Sequence, residues 1–204
     1  QRTGERKMFL ANITDEVDQL IGLHDLAVEE GADALMINGI TTGLSAVRMV
    51  RNHAQVPLVA HFDLMAPFTQ IPGFGISSEL LIKLQRLVGF DAIIFPGYGS
   101  RMKTSGNEVI AGVSACLDDW GCMKAALPVP AGSQWAGSLE DLYEKLGTID
   151  FGIVPGRAVF HHPMGPKAGA RSLRQGWEAV AQGVSVFEYA KEHSELRKAV
   201  EVHS

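Results

Sequence analysis

Two short segments combine glycine and proline with polar side chains in a pattern that suits phosphate binding. The segments are Pro130-Ala131-Gly132-Ser133 and Pro155-Gly156-Arg157, and each directly follows an apolar run. Successive backbone amides at the mouth of a helix can surround a phosphate group. Parallel α/β folds bind ligands with the loops that follow their strands. We therefore expect both segments to contribute to one phosphate site, although each segment by itself could be a simple turn.

His61 ends another apolar run and is followed by Phe62 and Asp63. Imidazole titrates near neutral pH, so a histidine at a strand end could act as a general base or polarise a substrate carbonyl. The alternative is a core histidine whose ring nitrogens bind the backbone. Asp63 could cap a helix or form an ion pair.

Two other groups near the C-terminal helices could also carry chemistry. His161 and His162 are adjacent, and because neighbours in a turn rarely reach one ion, we expect a structural role rather than a metal site. Lys167, Arg171 and Arg174 surround the start of the last long predicted helix. Positive charge is unfavourable there unless an anion is close, which weakly supports a phosphate; a solvated basic face is the alternative.

These segments lie between alternating strand and helix patterns. Near-continuous apolar runs predict six strands buried on both faces of a parallel sheet. The predicted strands are Met8–Ile13, Ala34–Ile37, Leu58–Phe62, Ala92–Phe95, Ala125–Val129 and Phe151–Val154. The predicted helices are Asp15–Glu30, Leu44–Asn52, Ser78–Val88, Glu108–Asp118, Leu139–Leu146 and Ala170–Gln182, followed by Ser185–Lys191 and Ser194–Val202. Repeated βα units predict an α/β fold, either a doubly wound sheet or part of a (β/α)₈ barrel, and composition does not decide between them.

Charge and hydropathy argue against two classes of partner. The net charge is −5 and the basic residues are scattered, so neither nucleic acid nor an anionic membrane is expected to bind. No apolar run is long enough to span a bilayer, and the first residues lack a signal-peptide core, so we expect a cytoplasmic protein. Cys116 and Cys122 match neither a zinc pattern nor a disulfide framework and are expected to be reduced and buried.

The longest ordered motif resembles the last strand, loop and helix of the RuBisCO superfamily. This motif is Gly156-Arg157-Ala158-Val159-Phe160-His161-His162-Pro163-Met164-Gly165-Pro166-Lys167-Ala168-Gly169-Ala170. Leu127 to Ser133 resembles the seventh loop of the family, Leu58 to His61 its fifth strand, and Thr3-Gly4-Glu5 the segment before its third strand. The resemblance therefore covers nearly the whole chain.

This resemblance implies a (β/α)₈ TIM barrel of which residues 1–204 supply strands three to eight and the C-terminal helices. Strands one and two and the family's N-terminal domain would lie outside this sequence. The Lys-x-Asp-Glu cluster that binds Mg²⁺ in the family would also lie upstream, so the resemblance implies Mg²⁺ as cofactor but no metal ligand in this segment. Family members are dimers, which implies a homodimer.

The family's site residues map onto several positions of this sequence. His61 matches the active-site histidine at the end of strand five, and Asn38 matches a polar position at the end of strand four. The loop-seven and loop-eight phosphate positions correspond to Ala131, Gly132, Ser133, Gly156 and Arg157.

Several departures from the family pattern argue against carboxylation of ribulose bisphosphate. Phe62 replaces an arginine that holds a second phosphate, and Ala131 and Arg157 replace serine and glycine. The mobile lid after strand six is not reproduced, although Arg101 or Lys103 could substitute for its lysine.

The resemblance thus favours a RuBisCO-like enzyme that performs Mg²⁺-dependent enolisation, isomerisation or decarboxylation of a singly phosphorylated, sugar-derived carbonyl compound. The alternatives are a true carboxylase and a barrel that binds a phosphorylated ligand without turnover.

Overall fold

Strands and helices alternate along the chain, as the apolar runs predict. A computed structural model describes residues 4, 6–71, 73–99, 104–121 and 123–203. The strands are β1 (Leu10–Asn12), β2 (Ala34–Ile37), β3 (Leu58–Ala60), β4 (Ala92–Pro96) and β5 (Leu127–Ala131). The helices are α1 (Leu20–Glu29), α2 (Gly39–Thr42), α3 (Leu44–His53), α4 (Met65–Thr69), α5 (Ser78–Val88), α6 (Gly106–Leu117), α7 (Ser138–Leu146), α8 (Gly156–Phe160), α9 (Pro166–Gln182), α10 (Val186–Tyr189) and α11 (Ser194–His203).

The chain folds as two compact units. The first contains residues 1–95 and 111–129, and the second contains residues 96–110 and 130–204. In the first unit the strands follow each other in the order β1-β2-β3-β4-β5. The pairs β1–β2, β2–β3 and β3–β4 are parallel. The α/β class with a parallel sheet is therefore confirmed, whereas closure into an eight-stranded barrel remains an expectation.

Burial differs among the strands and between their two faces. Leu35 and Ile37 are fully buried on one face of β2, as are Leu58 and Ala60 on one face of β3, whereas Met36 and Val59 between them are half-buried. Strand β1 is exposed or half-buried throughout, so the predicted burial on both faces does not hold there.

Gly31, Gly89 and Gly147 follow helix ends with φ of +89°, +106° and +65°. Only glycine adopts these angles without steric cost, so each of the three suits a helix end. Gly31 and Gly89 lead on to β2 and β4, whereas no strand follows Gly147 among the described residues.

The sixth predicted strand is wrong. Phe151–Val154 has no strand conformation, although Phe151 is buried. Apolar residues alone do not make a strand, because the backbone also needs a ladder partner. The amide of Phe151 bonds instead to the carbonyl of Ile149, at 2.9 Å, and Val154 is exposed. The segment has no regular conformation and leads into α8.

Helix starts differ from the predictions where local hydrogen bonds compete with the helix. The first helix was expected from Asp15 but begins at Leu20, because Asp15 accepts a hydrogen bond from the amide of Glu16 and the chain turns before Gln19. The last long helix begins at Pro166 rather than Ala170. Proline is favourable in the first helical turn, since its missing N–H has no partner there in any case.

The C-terminal helices form the core of the second unit. Ala136, Ala179, Val186, Ala190 and Leu196 are buried together, with Trp135 and Val200 packed against them. Glu195 adds polar links between α11 and α9, because it binds Arg171 and Gln175 at 3.0 Å each. The amide of Leu196 donates to the side chain of Gln175 at 3.0 Å. These contacts fix α11, which ends at His203.

No helix among the described residues has the length and apolar character needed to cross a membrane.

Candidate functional site

Asn38 and His61 lie side by side at the C-terminal edge of the sheet in the first unit. They directly follow Ile37 and Ala60, which pair across β2 and β3. The amide of His61 continues the ladder to the carbonyl of Ile37, at 3.0 Å. The sequence prediction that both residues stand at strand ends is therefore confirmed. Ligands bind at this edge in parallel α/β folds.

His61 is held by Asp63 through one ring nitrogen. The backbone N–H of Asp63 donates to Nδ1 at 3.2 Å, and a carboxylate oxygen of Asp63 lies 3.1 Å from the same nitrogen. The N–H suits a neutral ring with its proton on Nε2, and the carboxylate suits the doubly protonated ring. Both protonation states have a partner, which is what a general acid or base requires. Of the roles considered for Asp63, contact with a charged or polar side chain is the one observed, and this contact is an ion pair only when His61 is protonated.

Asn38 contributes a buried side chain whose carbonyl oxygen is not satisfied. Asn38 is 6% exposed, and its Oδ1 has no hydrogen-bond partner among the described residues. Buried polar atoms nearly always have a partner, so an orphaned acceptor at a strand end points to a ligand donor.

Asn12 and Thr14 extend this polar edge and were missed by sequence reasoning. The Thr14 hydroxyl donates to the Asn12 side chain at 2.7 Å and accepts from the amide of Asn38 at 2.9 Å. The signal in the sequence was a polar pair at the end of the first apolar run.

The two predicted phosphate segments meet in a cavity of the second unit. The cavity has a volume of about 240 Å³. Its lining residues are Ser133, Gln134, Val154, Pro155, Arg157, Ala158 and His203. The structure thus brings together Ser133 and Arg157, which are 24 positions apart. A larger cavity of about 540 Å³ in the same unit is lined by Tyr143, Ile149, Trp177, Val180 and Ala181, and this apolar lining does not suit an anion.

The smaller cavity offers one permanent cation, Arg157, and one imidazole, His203, to a ligand. The Arg157 guanidinium forms no ion pair within the part of the chain that the structure describes. The His203 ring stacks on Trp135 with ring centres 5.0 Å apart. Burial lowers the pKa of His203, and the charge of His162 acts in the same direction. His203 was not predicted as a site residue, since nothing local in the sequence ties α11 to these loops.

The backbone of Ser133 is strained. Its φ is +40°, a left-handed value that is uncommon for a residue with a side chain. Such angles persist where the surrounding structure enforces them, and they concentrate at ligand sites. The strain supports a functional role for Ser133.

The remaining predicted phosphate residues differ from the expected arrangement. The Gly132 amide is not open to a ligand, because it donates to the side chain of Gln134 at 2.7 Å. Ala131 belongs to β5, where its carbonyl accepts from Gly97. Gly156 begins α8 and does not line the cavity, whereas Arg157 does. The polar groups that face the cavity are therefore side chains, and not the glycine backbone amides that the sequence predicted.

The other candidates have structural contacts. His162 is buried and binds the amide of Met164 and the carbonyl of Glu195, so the structural interpretation is confirmed. Arg171 is neutralised by Glu195, which removes its support for an anion at the start of α9. Burial raises the pKa of the Cys116 thiol to about 12, as expected of an inert core residue. Arg101, Lys103 and Cys122 lie outside the described residues.

The metal-ligating side chains that lie close together in the described part of the chain do not suit magnesium. In the described ranges, His24, Asp25 and His53 are the one group of three metal-ligating side chains close together. Mg²⁺ prefers oxygen ligands in octahedral geometry, which two imidazoles do not offer.

Comparison with known proteins places the chain in one family. The catalytic domain of the ribulose bisphosphate carboxylase large chain matches residues 1–203. A ribulose bisphosphate carboxylase-like protein of Allochromatium vinosum is 60% identical over 97% of this chain and 43% of its own length. The ribulose bisphosphate carboxylase of Methanosarcina barkeri is 34% identical over 97% of this chain and 50% of its own length.

Solved structures agree with the sequence comparisons. The crystal structure of a RuBisCO-like protein from Burkholderia fungorum superposes with a TM-score of 0.91 at 31% identity, covering 98% of this chain and 50% of that one. The chain thus spans about half the length of the relatives it matches. It belongs to the ribulose bisphosphate carboxylase large-chain family, among the RuBisCO-like members.

Proposed function

We propose that this chain is the C-terminal part of a RuBisCO-like enzyme that enolises, isomerises or decarboxylates a singly phosphorylated, sugar-derived carbonyl compound. The observation that carries the proposal is the cavity in which Ser133 and Arg157 meet. The cavity offers a guanidinium that has no ion-pair partner among the described residues, a hydroxyl on a strained backbone and a histidine, a set that suits one phosphate group.

Phosphate binding in the cavity rests on side chains rather than on glycine amides. Arg157 supplies a permanent positive charge, and the Ser133 hydroxyl can donate a hydrogen bond. The lowered pKa of His203 favours its neutral ring, and a bound anion would favour the protonated ring. A bound phosphate would raise that pKa, so phosphate affinity is expected to increase as the pH falls.

His61 is proposed to move a proton beside the substrate carbonyl. Its Nδ1 is held by Asp63, which leaves Nε2 as the nitrogen that can exchange a proton. The unsatisfied Oδ1 of Asn38 is proposed to accept a hydrogen bond from a substrate hydroxyl. These roles are the ones that the family resemblance implies for residues at the ends of strands four and five. In this chain those two strands are β2 and β3.

Mg²⁺ is proposed as cofactor from the family resemblance, with its ligands in the part of the protein upstream of this chain. Bound there, it would stabilise negative charge on an enediolate oxygen. The residues described here do not form that site, and the steps assigned to them do not depend on its geometry.

Two observations favour a RuBisCO-like reaction over carboxylation of ribulose bisphosphate. The chain is more similar to the carboxylase-like protein, at 60% identity, than to the carboxylase, at 34%. Phe62, which stands where the carboxylases carry an arginine for the second phosphate, stacks on His61 with ring centres 4.9 Å apart. A site with one phosphate anchor suits a monophosphate. We further propose a cytoplasmic homodimer, as the family resemblance implies.

The proposal is tested with the full-length protein, Mg²⁺ and a panel of phosphorylated ketoses and sugar acids. Once a substrate is found, Arg157→Gln should raise its KM about tenfold or more, the loss expected for one charge-assisted contact. The dephosphorylated analogue should be unaffected. Arg48→Gln is the matched control, because Arg48 is exposed on α3 and does not line the cavity. Equal effects of Arg157→Gln on both compounds would contradict phosphate binding in this cavity.

A further inference from the structure

Three metal-ligating side chains meet on two helices of the first unit, away from the residues used above. His24 and Asp25 belong to α1, and His53 is the last residue of α3. We propose that these three residues bind a divalent transition-metal ion, with Zn²⁺ as the expected occupant. The proposal is independent of the proposed enzymatic function.

The geometry is close to that of a metal site. His24 Nδ1 lies 2.8 Å and His53 Nε2 lies 2.6 Å from the same oxygen of Asp25. All three ligand atoms lie within 4.8 Å of one another. Ligands bound to zinc at 2.0–2.1 Å in a tetrahedron are separated by roughly 3.3 Å. Small side-chain rotations would therefore convert the hydrogen-bonded cluster into a metal-bound one.

The cluster is preorganised on one side and open on the other. The His24 side chain is fully buried, whereas 55% of Asp25 and 38% of the His53 side chain are exposed. The two imidazoles meet edge to face, with ring centres 4.8 Å apart. An ion can therefore approach from solvent and meet a rigid inner ligand, with water completing its coordination shell.

The charge of the cluster favours a cation. One oxygen of Asp25 accepts hydrogen bonds from both imidazole rings, so the carboxylate faces the point where the three ligand atoms converge. Metal binding replaces the ring protons that now point at this carboxylate. His53 can carry its remaining proton on Nδ1, so its Nε2 is freed.

One contact opposes the ion and limits its affinity. The backbone N–H of Gln55 donates to His24 Nε2 at 3.4 Å, which places the His24 proton on Nδ1 in the metal-free protein. Metal binding at Nδ1 would move this proton to Nε2 and break the contact. The hydrogen bond is long and single, so we expect weaker binding than at a closed four-ligand zinc site rather than exclusion of the metal.

The donor set selects the class of metal. Two imidazole nitrogens and one carboxylate suit Zn²⁺, Co²⁺, Ni²⁺ or Cu²⁺, whereas Mg²⁺ is bound by oxygen. An ion held by residues of both α1 and α3 would tie these helices together. Zinc is therefore also expected to raise the thermal midpoint of the protein.

The test titrates Zn²⁺ into metal-stripped, full-length protein by calorimetry at pH 7.5, with millimolar Mg²⁺ present to fill sites with oxygen ligands. We expect one zinc site whose Kd increases about tenfold or more in His53→Gln and in Asp25→Asn. His161→Gln is the matched control, because His161 is exposed and lies outside the cluster. Co²⁺ gives a second readout, since the visible absorption of tetrahedral Co²⁺ should form in the wild type and be lost in His53→Gln.

Each negative result would overturn the proposal. Failure of the wild-type protein to bind zinc in the presence of Mg²⁺ would do so, as would equal affinity in the wild type and His53→Gln. If His53→Gln fails to fold, histidine NMR spectra of the wild type decide the question, because zinc must shift the His24 and His53 ring signals.

Discussion

The backbone N–H of Gly132 donates to the side-chain oxygen of Gln134 at 2.7 Å, so a glycine amide expected to face a phosphate faces its own chain instead. The amide group of Gln134 also donates to the carbonyl of Pro130 at 2.8 Å, and Gln134 is buried. One side chain thus closes the turn after β5 and holds Ser133 in its left-handed conformation at the cavity wall.

Gln134→Ala should destabilise the protein by about 1–3 kcal/mol, because it leaves the Gly132 amide and the Pro130 carbonyl without partners. Chemical denaturation monitored by circular dichroism measures the change. Gln70→Ala is the control, since Gln70 is exposed and makes one long contact to Thr69. A loss no larger than that of the control would show that the turn is held by other contacts.

Replacement of His61 by Gln should lower kcat by about 10² or more if this ring transfers a proton in the proposed reaction. Glutamine keeps a hydrogen-bonding side chain of similar size but cannot be protonated in this range. Steady-state kinetics with the identified substrate measure the effect, with His161→Gln as control. Unchanged kcat would reduce His61 to a packing role beside Phe62.

Glu195 should make the stability of the protein fall as the solution is acidified. Hydrogen bonds from Gln175 and then Arg171 lower its pKa to about 2. A carboxyl with a depressed pKa stabilises the folded state above its ordinary pKa of 4.5, and that stabilisation is lost as the pH falls from 4.5 towards 2.

Glu195→Gln should therefore cost about 1–2 kcal/mol at pH 7, the value of a charged hydrogen bond reduced for solvent screening. The difference from the wild type should shrink towards pH 2. Thermal unfolding across this pH range measures both effects, and Glu201→Gln serves as the exposed control on the same helix. A difference that does not change with pH would contradict the assignment.

Arg86 is a buried cation whose partners are backbone carbonyls. It donates to the carbonyls of Ala115 and Lys124 at 3.1 Å each, and its guanidinium lies 4.3 Å from the ring centre of Trp120. Lysine has a single ammonium group and cannot reproduce the several N–H donors of the planar guanidinium. Arg86→Lys should cost about 1.5–3 kcal/mol in chemical denaturation. Arg48→Lys on the exposed face of α3 should have no measurable effect, and equal stability of the two variants would refute the role of Arg86.

Local sequence patterns predicted those strands and helix ends that depend only on residues close together in the chain. The apolar side chains of Leu58 to Ala60 and of Ala92 to Phe95 are buried or half-buried, and both segments form strands as predicted. Gly89 ends α5 because its φ is positive. The positions of Asn38 and His61 at strand ends also followed from the sequence, whereas the pairing of β2 with β3 places them side by side.

The tertiary structure decided what depends on partners distant in the chain. Phe151 to Val154 is as apolar as the true strands, yet it has no ladder partner and takes no regular conformation. The Gly132 amide was predicted to bind phosphate, but the choice between ligand and Gln134 depends on where a buried side chain points. His203 reaches the cavity, and His53 reaches Asp25, only because helices pack. A sequence pattern specifies backbone preference and burial over a few residues. Contacts between residues that are distant in the chain depend on the packing of the whole unit.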